Sequence, residues 1–332
     1  MSELLLDVRD LKVHFPVRAG GGVFSRFLPL KAVDGVSFQL KAGETLGVVG
    51  ESSCGKTTLG RAILQLTPTT AGAVVWLGRD LAQAEKDEIR RARQGLQVVF
   101  QDPLASLDPR MTAGAIIAEP LKNFFPALPA DEVKAKVAAM MEQVGLLPTM
   151  INRYPHEFSG GQCQRIGIAR AMILNPKLII CDEPVSALDV SIRAQVINLL
   201  MELQRSFGLS LIFISHDLAV VRHISHRVMV LYLGRVMELA DRDRLYAAPR
   251  HPYTRALMAA VPIPDPDKER AKPRVILTGD PPSPLHPPSG CVFRTRCPKA
   301  TEICAGAPPA FEAVTGGHEV ACYHWRDTGA PL

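Results

Sequence analysis

The stretch from Gly50 to Thr57 constrains this 332-residue chain more than any other part of it. It fits the pattern G-x-x-x-x-G-K-[ST], in which glycines let backbone N–H groups turn toward a phosphate. The apolar run 45–49 predicts a buried strand before it, and the residues after it predict a helix. Such a loop at a helix N-terminus is an anion site. This context favours a nucleoside triphosphate site over a glycine-rich turn that matches by accident.

Each residue type in the loop has a role in that chemistry. Lys56 would place its ammonium against the β- and γ-phosphates, and the Thr57 hydroxyl would bind Mg²⁺. The other nucleotide contacts that we predict here are Gly50, Ser52, Ser53, Cys54, Gly55 and Thr58.

Composition permits large buried cores and excludes several classes of protein. Hydrophobic residues make up 47% of the sequence, and the net charge is only +5. The sequence contains no run of five or more basic residues, so it gives no sign of binding to nucleic acid. The first residues do not fit a signal peptide, and no stretch of 18 apolar residues occurs. We therefore expect two or three domains in the cytoplasm, where cysteines stay reduced unless they bind something.

Strand and helix patterns alternate along the chain. The predicted strands are 4–13, 33–40, 45–49, 73–77, 96–100, 177–183 and 209–214. In the early strands apolar and polar residues alternate, which predicts an antiparallel sheet beside the nucleotide site. The later strands are continuous apolar runs, which predict a parallel core. Val133, Val137, Met140, Met141 and Val144 recur at helical spacing. They predict an amphipathic helix in a helical subdomain of about 102–174.

Polar residues follow the predicted core strands. Asp182 and Glu183 end one apolar run, and His216 follows the next. Ligands bind at the carboxyl ends of strands in open α/β sheets. Gln101 follows the strand 96–100, and Ser159 would cap a helix that begins with two glycines. Taken singly, such residues are usually strand ends, turn residues or packed histidines; their order along the chain favours a site.

In this order the motifs resemble the nucleotide-binding subunit of an ATP-binding cassette (ABC) transporter, over about residues 4–250. The matching motifs are the phosphate loop, the Q-loop residue Gln101, the signature Phe158–Gln162, the pair Asp182 and Glu183, the D-loop Ser186–Asp189 and the switch residue His216. The resemblance implies an α/β fold of the P-loop NTPase type, with a RecA-like parallel core, an antiparallel β subdomain and a helical subdomain. It assigns 1–250 to this ATPase domain and 251–332 to a small, irregular, Cys-rich C-terminal domain.

The resemblance also implies the roles of single residues. Asp182 and Gln101 would join Thr57 at Mg²⁺, Glu183 would polarise the attacking water, and His216 would hold both in place near the γ-phosphate. Phe15 would stack on adenine. Two subunits would pack head to tail, so that Ser159, Gly160, Gly161 and Gln162 of one contact the ATP that the other holds. Phe158 stands where leucine is more usual, and Cys163 stands where arginine is common.

The end of the chain narrows the resemblance to ATPase subunits of dipeptide and oligopeptide importers. His251–Leu257 and Gly279–Leu285 are similar to segments of that group. Between them, the proline-rich stretch 262–290 predicts an extended connector without helix. The implied partners are a second, related ATPase or a second copy, two membrane permease subunits and, indirectly, an external substrate-binding protein. The implied location is peripheral, at the cytoplasmic face of the inner membrane.

Four cysteines cluster near the end of the chain, with the spacing C-x₅-C-x₆-C-x₁₇-C: Cys291, Cys297, Cys304 and Cys322. Four thiolates suit an iron–sulfur cluster or zinc, and the C-x₂-C pairs of most zinc sites are absent. Similar importer subunits carry a [4Fe-4S] cluster, which we favour over zinc and over four unbound thiols. His318 and His324 flank Cys322 and could substitute as ligands.

Two other functions remain open at this stage. A soluble cassette ATPase could act on ribosomes or DNA, but such proteins usually carry two cassettes or a long coiled coil, and neither is visible here. A cluster-based redox sensor would leave the importer-like segments unexplained. The sequence does not identify the transported substrate, nor whether both ATP sites of a dimer turn over.

Overall fold

The computed structural model describes residues 3–19, 26–262, 265–271, 277 and 279–327. The chain divides into two compact units. The first comprises Met1–Leu5, Leu40–Thr45 and Gln83–Ser215, and the second comprises Leu6–Gln39, Leu46–Ala82 and His216–Leu332. The predicted domain boundary at residue 250 stays a prediction. The glycine-rich composition of residues 20–27, between the predicted strands 4–13 and 33–40, predicts a loop, and most of it lies outside the described residues.

Strands and helices alternate through most of the chain. The strands are β1 (Leu4–Ala19), β2 (Arg26–Lys41), β3 (Thr45–Val49), β4 (Ala71–Trp76), β5 (Arg79–Asp80), β6 (Leu96–Val99), β7 (Leu178–Asp182), β8 (Ser210–Ile214), β9 (Arg227–Tyr232), β10 (Arg235–Asp241), β11 (Glu312–Thr315) and β12 (His318–Val320). The helices are α1 (Lys56–Ile63), α2 (Lys86–Gly95), α3 (Ala113–Phe124), α4 (Ala130–Gln143), α5 (Gly160–Met172), α6 (Val190–Phe207), α7 (Leu218–Ile224), α8 (Arg242–Ala247), α9 (Pro252–Ala259), α10 (Pro266–Ala271) and α11 (Ile303–Gly306).

In the first unit, three parallel strands form the core in the order β8-β7-β6. Every residue of β7 and of β8 is buried. Strands that are covered on both faces need apolar residues at nearly every position, which is why these segments read as continuous apolar runs. The predicted parallel core is confirmed here, and its register places Asp182 opposite Ile214 at the end of both strands.

The helical part of the first unit contains α3, α4 and α5, all within the predicted range 102–174. The α4 stripe is buried as its spacing predicts: Val133, Val137, Met140 and Met141. Thr112 caps α3 by accepting a hydrogen bond from the Ala115 N–H at 3.3 Å. Among the helices that the structure describes, none has the length together with the hydrophobicity that a bilayer crossing needs.

The second unit contains an antiparallel sheet and five further strands. The sheet has the order β2-β1-β4-β5, as predicted for the early strands, and β1 and β2 are longer than their patterns suggested. The other strands lie in the order β11-β12-β10-β9-β3. In this set β3 runs parallel to β9, with Val49 opposite Val230, so the phosphate loop leaves the sheet beside the end of β9.

Two features of the C-terminal part differ from the predictions. The proline-rich connector contains α10, which begins with Pro266; proline is tolerated in a first helical turn because its missing N–H has no helical partner there. The Cys-rich end is also less irregular than expected. Gly316 and Gly317 have positive φ values of 54° and 79° and join β11 to β12, and β12 pairs with β10. A two-glycine turn of this kind favours a hairpin.

Candidate active site

The phosphate loop connects the end of β3 to the first residue of α1. Its backbone is left-handed at Ser53 and Gly55, with φ values of 61° and 105°. A Cβ atom at Gly55 would overlap the carbonyl oxygen of Ala32, and one at Gly50 would overlap that of Leu231. Glycine is therefore required at both ends of the loop, because backbone oxygens cannot move aside as a flexible side chain can.

Lys56 lies buried inside the loop that precedes it. Its Nζ donates to the carbonyl oxygens of Gly50 at 2.8 Å and Glu51 at 2.9 Å. These two bonds hold the ammonium over the loop before a nucleotide binds, which fits the predicted phosphate contact. Burial raises the pKa of the Cys54 thiol, and Lys56 only partly offsets this, so Cys54 stays protonated near neutral pH.

The serines and threonines of the loop are more exposed to solvent than Lys56. Ser52 and Ser53 are exposed, while Thr57 and Thr58 are half-buried in the first turn of α1. The N-cap Gly55 has no side chain to cover the first N–H groups of this helix. A helix start of this kind favours an anionic ligand.

At the end of β7, the structure brings two predicted catalytic residues together. The Gln101 Nε2 atom donates to Glu183 Oε2 at 3.3 Å. Glu183 has a positive φ of 47°, and its N–H donates to the Ile214 carbonyl oxygen at 3.0 Å. A non-glycine residue in this backbone region costs about 1–3 kcal/mol and is usually held there for function. Glu183 is half-buried, whereas Asp182, one residue earlier, is buried.

His216 follows β8 and is exposed. The next residue, Asp217, caps α7 through Oδ1, which accepts from the N–H groups of Ala219 and Val220 at 3.0 and 3.2 Å. His216 belongs to the second unit and Glu183 to the first, so the predicted action of His216 on Glu183 stays a prediction.

The signature residues form the start of α5. Ser159 is the predicted N-cap, and this is confirmed: its Oγ accepts from the Gln162 N–H at 3.4 Å, and Gln162 Oε1 accepts from the Ser159 N–H at 2.9 Å. Ser159 and Gly160 are exposed, and Gly161 is buried against Ile192. Cys163 is fully buried and directed to the Pro155 carbonyl oxygen. A basic residue at position 163 would therefore face the interior of the unit.

Phe15 lies in β1 with 39% of its surface exposed, as a ring that stacks on a base requires. Its predicted contact with adenine stays a prediction. Residue 15 lies four positions before the end of β1, close to the part of the chain that is not described.

The four clustered cysteines share one neighbourhood. The Cys291 N–H donates to the Cys304 carbonyl oxygen at 2.8 Å. Burial raises the pKa of Cys297 to about 11 and that of Cys322 to about 12, and in both cases the neighbouring cysteines add to the effect. Among the residues that the structure describes, no three His, Cys, Asp or Glu side chains form a group that could hold a single metal ion.

The two histidines that flank Cys322 have other partners. His318 is buried, with Nε2 at 2.6 Å from Glu238 Oε1, and His324 Nε2 lies 2.8 Å from the Thr301 hydroxyl. Glu238 is itself fully buried and also accepts from the backbone N–H groups of Arg250 and His251. His318 thus links β12 to β10, and its predicted ability to replace a cysteine ligand stays a prediction.

Sequence reasoning missed two residues that contact the phosphate loop at Glu51. The Glu51 N–H donates to the Tyr253 hydroxyl at 2.9 Å, and Glu51 Oε2 pairs with Arg296 Nη1 at 2.7 Å. Tyr253 lies in a segment that the resemblance singled out without a role, and Arg296 precedes one of the clustered cysteines. Both partners are about two hundred or more positions away along the chain, so no local pattern links them to the loop.

Comparison with protein families gives two matches. Residues 33–186 match the ABC transporter family, and residues 237–304 match the C-terminal region of oligopeptide/dipeptide transporters. The first range contains the phosphate loop, Gln101, the signature and Glu183. The second contains Tyr253, Arg296 and three of the four clustered cysteines.

Curated relatives match almost the whole chain. The oligopeptide transport ATP-binding protein OppF of Salmonella typhimurium is 62% identical over 323 residues, which cover 96% of each chain. The oligopeptide transport ATP-binding protein AppF of Bacillus subtilis is 53% identical over 97% of this chain and 98% of its own.

Among solved structures, an ATP-binding cassette captured as a dimer in a post-hydrolysis state with ADP and Pi is similar to this chain. The TM-score is 0.64 at 26% identity, over 72% of this chain and 99% of that one.

Proposed function

The chain belongs to the ATP-binding subunits of ABC transporters, and from this premise we propose that it powers the import of peptides. The observation that carries the proposal is the 62% identity to an oligopeptide transport ATP-binding protein, which extends over both the cassette and the C-terminal region. Substrate choice would belong to the permease and the external binding protein.

ATP and Mg²⁺ fit the residues present. Thr57 supplies a hydroxyl in the first turn of α1, and Asp182 supplies a carboxylate at the end of β7; both are the hard oxygen donors that Mg²⁺ prefers. The metal neutralises charge on the phosphate oxygens when it is bound. Lys56 adds a buried ammonium that the loop carbonyls already orient.

Glu183 is the residue that we assign to water activation. Its carboxylate would accept a proton from the water that attacks the γ-phosphate, and the Gln101 amide, 3.3 Å away, would orient that carboxylate and report the state of the site. His216 would hold water and carboxylate in place. Because the left-handed turn at Glu183 is fixed by a hydrogen bond to Ile214, the carboxylate is positioned before ATP arrives.

A dimer would complete the site. The start of α5, where Ser159 and Gly160 are exposed, suits the γ-phosphate of ATP held by a second chain, and Phe15 suits the adenine. The similar cassette that is dimeric and bound to ADP and Pi supports the formation of a dimer. The partner would be a related ATPase or a second copy.

A groove in the helical part is our candidate for the permease contact. It has a volume of about 620 Å³ and lies between α3 and α4, with apolar walls from Ala115, Ala118 and Val133 and with Lys122 and Lys134 at its edge. Such a groove fits an apolar helix that carries acidic residues. Docking there would place the protein at the cytoplasmic face of the inner membrane.

The four cysteines are our candidate ligands for a [4Fe-4S] cluster. The donor set fits in type, because thiolates are the usual ligands of such clusters. We favour the cluster over zinc because the C-x₂-C pairs of most zinc sites are absent from this sequence. Anaerobic purification should give iron and sulfide with visible absorption, which the pair Cys291→Ser/Cys297→Ser should lose and Cys163→Ala should keep. A colourless, zinc-loaded protein would contradict the assignment.

Reconstitution with membrane partners tests the main proposal. The chain should copurify with a permease pair and, in proteoliposomes, support Mg·ATP-dependent peptide uptake that Lys56→Met abolishes and the exposed Lys86→Met retains. Ala115→Arg should reduce copurification by about tenfold, and the exposed Ala127→Arg should not. ATP hydrolysis that responds to ribosomes or DNA instead of permeases would favour a soluble cassette ATPase.

A further inference from the structure

The phosphate loop is held from outside by two residues of the C-terminal region, Tyr253 and Arg296. Tyr253 is fully buried in the first turn of α9, and its hydroxyl accepts the Glu51 N–H at 2.9 Å. This bond uses the first N–H group after Gly50, so that group does not turn toward a ligand. It fixes the point where the chain leaves β3.

Arg296 contacts the side chain of the same loop residue. It is 8% exposed, and its Nη1 atom lies 2.7 Å from Glu51 Oε2 and 3.4 Å from the Tyr232 hydroxyl. Its guanidinium also lies over the Tyr232 ring, with Cζ 6.0 Å from the ring centroid. Arg296 therefore places one positive charge on the only acidic side chain within Gly50–Thr57.

The two residues are joined by aromatic packing. Tyr232 at the end of β9 lies 4.7 Å from Tyr253 and 5.3 Å from Phe293, measured between ring centroids, and Tyr253 lies 5.3 Å from Phe293. All three rings are buried. Because a packed cluster of this kind resists rearrangement, the hydroxyl and the guanidinium approach Glu51 from fixed positions.

The charge on Glu51 gives this arrangement a consequence for binding. A carboxylate within a loop that receives a triphosphate repels the ligand unless a cation compensates it, and partial burial strengthens the repulsion. Lys56 already donates to two loop carbonyls and is committed to the phosphates in the proposed function. Compensation of Glu51 therefore falls to Arg296.

We infer that Tyr253 and Arg296 are positioning residues of the ATP site, through which the folded C-terminal region sets the affinity for Mg·ATP. The inference rests on the proposed function, in which this loop binds ATP. It gives the C-terminal region a direct role in nucleotide binding, separate from any group that its cysteines hold.

A charge-deletion cycle on the full chain, in complex with its partners, tests the inference. Arg296→Met should raise the Kd for Mg·ATP and the KM for ATP by about tenfold, with kcat changed by less than twofold. The double variant Glu51→Gln/Arg296→Met should recover affinity to within threefold of the parent, because no carboxylate then needs compensation. A purely structural role of Arg296 would not be rescued in this way. Arg294→Met is the matched control, since Arg294 bonds to Ser289 and not to the loop.

Tyr253→Phe tests the second contact, because it removes the hydroxyl and keeps the ring. We expect about a threefold rise in KM at unchanged kcat. If Arg296→Met fails to fold while the double variant folds, the pairing with Glu51 is supported. Parent-like KM values in both Arg296→Met and Tyr253→Phe, or a loss in Arg296→Met that Glu51→Gln leaves in place, would overturn the inference. A parent complex that does not bind Mg·ATP would instead refute the proposed function.

Discussion

Helices α1 and α5 both begin at a glycine-containing motif, yet their first turns are completed in different ways. At α1 the N-cap is Gly55, with φ 105° and no side-chain acceptor. At α5 the N-cap is Ser159, and Ser159 and Gln162 satisfy each other's backbone N–H groups in a capping box. The N-cap of α1 thus provides no side-chain acceptor for the first turn, whereas at α5 the side chains of Ser159 and Gln162 accept from two backbone N–H groups. In the proposed function the α1 start holds ATP and can draw stability from it, whereas the α5 start meets ATP on another chain and is stabilised by its own side chains.

The largest expected effect comes from closing the α1 start. Gly55→Ala should weaken Mg·ATP binding more than a hundredfold, because its Cβ meets the Ala32 carbonyl oxygen in a left-handed backbone. The matched change Gly161→Ala meets only the Ile192 side chain and should leave binding by the isolated chain within about threefold. Equilibrium dialysis with ATP measures both. Equal losses in the two variants would break the comparison.

Replacing Glu183, the residue proposed to activate water, separates chemistry from ATP binding. Glu183→Gln keeps the shape of the side chain and removes the base, so hydrolysis should fall by about a hundredfold or more while the Kd for ATP stays unchanged. Single-turnover hydrolysis and nucleotide binding provide the measurements. Hydrolysis near the parent rate would remove Glu183 from its assigned role.

A third helix start, that of α9, adds a pH dependence to the comparison. Its N-cap His251 accepts the Tyr253 N–H through Nδ1, and burial lowers the pKa of His251 from 6.5 to about 4. As the pH falls, His251 is therefore protonated at a higher pH in the unfolded chain than in the folded chain. The contribution of His251 to stability is complete above pH 6.5 and is lost as the pH falls toward 4, by about 1–3 kcal/mol.

Denaturant unfolding across that pH range measures the effect. His251→Asn keeps a capping oxygen and has no titratable ring, so its stability should fall less steeply between pH 6.5 and 4. Identical slopes for parent and variant would mean that His251 titrates normally in the folded chain.

The smallest effect should come from a change at the start of α5, which its own side chains cap. Ser159→Ala removes one cap and should cost about 1 kcal/mol of stability. In the assembled dimer it should also slow hydrolysis, by about tenfold, and should leave ATP binding by the isolated chain unchanged. Thermal unfolding and steady-state hydrolysis test the two parts, and Ser52→Ala, at an exposed position of the phosphate loop, provides a contrasting variant.

Sequence reasoning was most successful where function depends on local backbone form. The phosphate loop, the buried strands β7 and β8, the α4 stripe and the Ser159 cap follow from patterns only a few residues long. Reasoning failed at α10 and at the β11–β12 hairpin. There, the high proline and cysteine content predicted an extended connector and an irregular end. Two local signals indicated otherwise: a proline in a first helical turn, where it is tolerated, and the pair Gly316-Gly317.

By itself, the sequence determined which residues can carry phosphoryl transfer, because spacing alone brings Gly50, Gly55, Lys56 and Thr57 to one helix start. Only the tertiary structure decided how that chemistry is supported. The left-handed turn at Glu183 depends on a hydrogen bond to the neighbouring strand, and the neutralisation of Glu51 depends on Arg296, 245 positions later. Contacts between distant segments are set by how whole elements pack, and a one-dimensional pattern does not encode them locally.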